Sequence, residues 1–128
     1  MKHHTAQRVR KAEEDFEVAE SLAKQLKLRR DAVCFHCQQA AEKYLKALVQ
    51  ELGAAVPRTH DLEDLLDLLL PGDASLKRLR RGLSSLTRYA VEYRYPGMRA
   101  RTREMRSALR MARRVREELR RKLGLTSA

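Results

Sequence analysis

Apolar side chains recur every three or four positions along almost the whole chain and strict alternation is absent, so the pattern predicts helices and no strands. Val9, Ala12, Phe16, Ala19, Ala23 and Leu26 mark one face of a first helix over about residues 7–28. Arg29 and Arg30 form a basic break. Asp31 is then placed to cap a second helix with Val33, Cys37, Ala41, Tyr44, Leu48 and Leu52 on one stripe, and Gly53 is placed to end it. Pro57 keeps residues 54–58 out of a helix. Thr59 or Asp61 offers the next N-cap, and Asp61, Glu63 and Asp64 suit the positive end of a helix dipole. Leu62, Leu65, Leu66, Leu69 and Leu70 supply the apolar face of this short helix, which Pro71 and Gly72 stop.

Ser75 can open another helix with Leu76, Leu79, Leu83, Leu86, Ala90 and Tyr93 on one side and Lys77, Arg78, Arg80, Arg81 and Arg88 on the others. Pro96 and Gly97 turn the chain into a last helix from about Thr102 to Leu123, striped by Met105, Ala108, Ala112, Val115, Leu119 and Leu123. Short connections favour antiparallel neighbours. The expected architecture is all-α, an up-and-down bundle of four main helices plus one short helix, forming a single domain over residues 1–128. The leucine faces of the third and fourth helices offer more apolar surface than one small core is expected to absorb, which predicts a homodimer.

Composition narrows the class. Of 128 residues 35% are charged and only five are glycine and three proline, which argues against collagen-like, repeat and low-complexity chains. No apolar run approaches the ~20 residues of a membrane span, and the first residues hold no apolar stretch resembling a secretory signal. The expectation is a soluble, cytoplasmic protein that does not engage a membrane.

Charge is distributed unevenly. Residues 1–76 carry 11 Lys/Arg and 13 Asp/Glu, whereas residues 77–128 carry 17 and 4. Residues 99–122 alone hold ten Arg and one Lys against three Glu. Such asymmetry favours a polyanionic partner such as RNA or an acidic protein, although a basic helix is also compatible with an ordinary solvated surface. Surface arginines such as Arg103, Arg110 and Arg114 are expected to attract RNA of any sequence.

Several residues could carry chemistry. Cys34 and Cys37 form a C-x-x-C around Phe35 and His36, but no second cysteine pair exists to complete a structural zinc site and no strand leads into the motif. The pair is read as two small buried residues one helical turn apart, with no metal and no cofactor expected. His36, Gln39, Lys43 and Lys46, with Glu42 beside them, share one face of the second helix. That face can bind phosphate and base together, or it is simply solvated.

His60 precedes the capping candidate Asp61 and either contacts a ligand or faces outward. Arg94, at the break before the basic helix, either meets a phosphate through its planar fork or pairs with a carboxylate or helix end. Tyr89, Tyr93 and Tyr95 are rings that can stack on a base, although Tyr93 also continues the apolar stripe.

Three blocks, FHCQQAAEKYLKALVQELG at residues 35–53, VPRTHDLEDLL at residues 56–66 and YRYPG at residues 93–97, together resemble a HEPN domain (higher eukaryote and prokaryote nucleotide-binding). The resemblance runs from about Ala12 to Leu123. It implies a dimerising helical bundle that binds nucleotide or RNA, acting with a small nucleotidyltransferase in a toxin–antitoxin-like pair. It places His36, Gln39, Lys43, His60, Arg94 and Tyr95 at the ligand site.

Many HEPN proteins resemble one another in using an arginine, four to six intervening residues and a histidine for metal-independent RNA cleavage. Here Arg94 stands where that arginine belongs, but no histidine follows His60. Arg30 and His36 have five residues between them, but with 20 arginines in the chain that match carries no information. Arg94, His60 and His36 are therefore candidate catalytic residues only. The alternatives to a binding module are an active endoribonuclease toxin and a non-catalytic scaffold whose basic helix binds an acidic partner.

Overall fold

The computed structural model describes residues 1–27 and 29–125, and among these there are helices and no strand. Five α-helices run His3–Ala23 (α1), Arg30–Glu51 (α2), Leu62–Leu69 (α3), Arg80–Glu92 (α4) and Thr102–Lys122 (α5), with a 3-10 segment over Ala74–Leu79. The all-α class is as the hydrophobic period predicts.

The central helix is α2, which packs against each of the other four. It can do so because its small and apolar side chains surround most of its circumference: Val33, Cys34, Cys37, Ala40, Ala41, Tyr44, Leu45, Ala47, Leu48 and Val49 are all buried. α1 runs antiparallel to α2, as Lys2 meets Glu51 and Asp15 meets both His36 and Lys43. α5 in turn runs antiparallel to α1, with Glu13 meeting Arg116 and Arg120 and Glu20 meeting Arg113.

Local chemistry sets the ends. Asp61 accepts from the Glu63 N–H at 2.9 Å and caps α3, while Thr59 Oγ1 accepts from the Asp61 N–H at 3.1 Å. Gly53, at φ 82°, ends α2: its own N–H reaches the Gln50 carbonyl and the next N–H, from Ala54, reaches that of Val49. Gly124 closes α5 with the same pair of bonds, from Gly124 to Arg121 and from Leu125 to Arg120.

Several local expectations need correcting. α1 starts earlier than residue 7 and its last helical residue is Ala23, so Leu26 leaves the stripe and is fully exposed. Leu28, where the first helix was expected to end, lies outside the described residues. Leu52 follows the last turn of α2 and is also exposed. Asp31 does not cap α2 but sits in its first turn and accepts the Ala100 N–H at 2.6 Å, tying the approach to α5 onto the start of α2. The fourth helix begins as a 3-10 segment capped by Asp73, whose carboxylate accepts the Ser75 N–H at 3.1 Å.

The leucine faces of α3 and α4 are consumed internally. Leu62, Leu65, Leu66, Leu69, Leu76, Leu79, Leu83 and Leu86 are all at most 2% exposed, so they supply no surplus apolar face for a second copy. Cys34 and Cys37 are free, buried thiols in this core. Burial, with Asp31 and Glu104 nearby, pushes the Cys34 thiol up to about 12, and burial raises Cys37 as well.

Candidate functional site

One side of α2 carries two neighbouring polar clusters, partly buried under α1 and the segment before α3. In the first, one carboxylate serves two side chains: Asp15 of α1 lies 2.9 Å from His36 Nδ1 through one oxygen and binds the Lys43 ammonium through the other. The second is centred on Glu42, which is buried yet receives three groups. His60 Nδ1 lies 2.9 Å from it, Lys46 Nζ donates at 3.1 Å and Gln38 Nε2 at 3.3 Å. Burial acts to raise the Glu42 pKa, but these contacts outweigh it and hold the carboxyl below its ordinary value. Gln38 also donates to the His60 carbonyl at 3.1 Å, and Gln39 donates to Gln38 Oε1 at 2.8 Å.

Arg94 joins this band from the turn after α4. Its guanidinium lies 5.7 Å from the centroid of the Phe35 ring, which meets His36 edge-on at 5.4 Å. Tyr95 is exposed at the same turn. His36, Gln39, Lys43, His60 and Arg94 are thus distributed along one strip of α2 and its flanks. The imidazoles and the Lys43 ammonium already face carboxylates there. Asp15 and Gln38, which organise the strip, are not marked by spacing in the sequence: Asp15 belongs to α1, and Gln38 lies about 100° around α2 from Gln39, off the His36–Gln39–Lys43 face.

A second region lies between α4 and α5. These helices are antiparallel, with Arg78 pairing with Glu118 at one end and Gly82 opposite Met111. A Cβ at Gly82 would overlap the Met111 thioether, so glycine is what lets that side chain lie on α4. Two adjoining cavities of about 440 Å³ and about 620 Å³ occupy the seam and share Tyr89 and Ser107. Arg78, Arg81, Arg88, Arg103, Arg110 and Arg114 line them. Tyr93 stacks on Tyr89 at 5.8 Å with 23° between the rings.

Of the α5 arginines, Arg103 and Arg121 pair with Glu104 and Glu118 on their own helix. Arg113, Arg116 and Arg120 turn toward α1 and pair with Glu20 and Glu13 at 2.7–3.2 Å. Glu13 also accepts the Tyr44 hydroxyl. Burial acts to raise its pKa, but Tyr44, Arg116 and Arg120 together keep it below the ordinary value. Arg81, Arg106, Arg110 and Arg114 are exposed and have no carboxylate within ion-pair distance among the described residues. Composition revealed the excess positive charge but not which side chains carry it.

Among the described residues, no helix is long and apolar enough to cross a membrane. No curated protein matches the chain. The structure is similar to the crystal structure of TT1696 from Thermus thermophilus, with a TM-score of 0.78 and 26% identity over 94% of this chain and 99% of that one. The HEPN domain family matches residues 5–122, nearly the full length. With the helical architecture and the three sequence blocks already described, this chain belongs to the HEPN domain family.

Proposed function

We propose that this HEPN module binds nucleotide or RNA and, on the family resemblance rather than on any surplus of leucine surface, works as a homodimer and acts with a small nucleotidyltransferase in a toxin–antitoxin-like pair. The observation that supports the binding reading best is the division of the arginines. A fold that needed basic residues only for its own ion pairs would be served by Arg113, Arg116 and Arg120, yet Arg81, Arg106, Arg110 and Arg114 remain exposed without carboxylate partners among the described residues. Their common surface is suited to attract phosphates and release counterions. Direct titration of a short RNA and of ATP and GTP at several salt concentrations tests this. Salt-sensitive RNA binding supports the reading, and no binding at low salt rejects it. A small nucleotidyltransferase encoded next to this protein and purifying with it would support the paired half.

The endoribonuclease reading has one observation in its favour. The His60 side chain is 84% exposed while its Nδ1 is held by buried Glu42, which leaves Nε2 open to solvent. An imidazole oriented by a carboxylate in this way can act as a general base toward a ribose hydroxyl. Cleavage of RNA without added metal, lost in His60→Ala and retained in Arg113→Gln, would establish it.

A further inference from the structure

The seam between α4 and α5 has two rails at helical spacing. Along the 3-10 segment and α4, Arg78, Arg81, Ser85 and Arg88 follow at intervals of three, four and three; along α5, Arg103, Ser107, Arg110 and Arg114 follow at four, three and four. Small or apolar side chains, Gly82, Leu86, Ala108 and Met111, lie between them. Arg103 and Arg114 are eleven residues apart, which is ~16 Å along the helix.

The two ends differ. The part near Arg81 and Arg114 has no carboxylate in its lining, whereas the part near Tyr93 includes Glu92 and Glu104. At this second end Arg88 lies 3.6 Å from Glu92 and Arg103 lies 3.8 Å from Glu104. Five arginines against two glutamates line this second end, so both ends keep a surplus of positive charge suited to phosphate, and the second adds a ring.

We propose that the α4–α5 groove is a track for a single-stranded polynucleotide, with Arg81, Arg110 and Arg114 meeting phosphates and the Tyr93 ring taking an unpaired base. The proposal rests on the nucleic-acid-binding reading above and specifies the ligand form. Tyr93 is half-buried, lines the groove and is held by its stack on Tyr89, so little freedom is lost when a base joins it. A duplex buries its base faces in its own stack and has none to offer a tyrosine. A second copy docked here about a two-fold axis would set unpaired arginines against arginines, which disfavours this seam as a self-association surface.

Fluorescence anisotropy on the full chain can separate the possibilities, using ten-nucleotide single strands of RNA and DNA, the corresponding duplexes and an acidic peptide. Either single strand bound ahead of its duplex supports the proposal, and the tighter of the two names the source. Tyr93→Phe should bind like the unaltered chain, whereas Tyr93→Leu should lose about tenfold for single strands and little for duplexes. Circular dichroism checks folding, and exposed Arg114→Gln supplies a second variant that should weaken binding without disturbing the core. Duplex binding equal to or tighter than single-strand binding overturns the proposal, as does an unchanged single-strand affinity in folded Tyr93→Leu; in both cases the broader binding reading survives. Binding of the peptide alone overturns both.

Discussion

Arg116 and Glu13 lie 103 residues apart in the chain and meet at 3.2 Å, and the same carboxylate takes Arg120 and the Tyr44 hydroxyl. One α1 side chain therefore ties the last helix to the central one. It also neutralises part of the basic helix from within. The positive charge left outside belongs to other arginines, and they carry the proposed function.

Glu13→Gln should destabilise the fold by about 2 to 3 kcal/mol, because two guanidinium groups and a buried hydroxyl lose a charged acceptor. Its folded pKa is held below the ordinary 4.5, so the unfolded chain binds more protons in the intervening range. The stabilisation is complete above about pH 4.5 and is lost as pH falls through the lower folded value. Urea unfolding from pH 7 to pH 2.5 should accordingly show a shallower acid loss in the variant than in the unaltered chain.

Asp15→Asn should strengthen mononucleotide binding several-fold if the α2 strip receives phosphate, since His36 and Lys43 lose the carboxylate they share. Lys43→Ala, His60→Ala and Arg94→Ala should abolish it. Calorimetric titration with ATP checks both directions, and a folded Asp15→Asn variant with unchanged or weaker affinity would count against the strip as the nucleotide site.

Cys34 and Cys37 should not react with a disulfide thiol reagent at pH 8 in the native state and should react rapidly in denaturant. Both are buried, and Cys34 is raised to about 12, so the nucleophilic thiolate is scarce until the core opens. Fast native labelling would mean that the α2 core opens far more readily than its packing implies.

What could be read from the sequence was mostly what the nearest few residues decide. A cap at Asp61, one of the two positions local preference offers, the Gly53 stop and the start of α5 at about Thr102 follow from local preference and the three-four stripe, and all appear in the structure. Leu26 and Leu52 continue the same stripe yet are exposed, because the helices end before those positions. Asp31 looked like a cap, but the Ala100 N–H, 69 residues away, claims its carboxylate.

The candidate site divides in the same way. His36, Gln39 and Lys43 share a face by helical spacing alone, whereas the Asp15 carboxylate between His36 and Lys43 comes from another helix. Likewise the arginines at 78, 81 and 88 and those at 103, 110 and 114 follow at helical intervals of three, four or seven in the sequence, but their confrontation across one groove depends on how α4 and α5 pack.

Arg113 and Arg114 are adjacent in sequence, and both are exposed, but Arg113 pairs with Glu20 at 2.7 Å while Arg114 lines the groove. The most direct test of the account is the salt dependence of single-stranded RNA affinity in Arg113→Gln and Arg114→Gln, measured side by side from 50 to 200 mM salt. Arg114→Gln should weaken binding and lower the log–log slope by about 0.7, the value for one lost phosphate contact on a single strand, while Arg113→Gln leaves the slope unchanged. Equal loss in the two variants, or loss confined to Arg113→Gln, would contradict the claim that the unpaired arginines of the α4–α5 face are the binding surface.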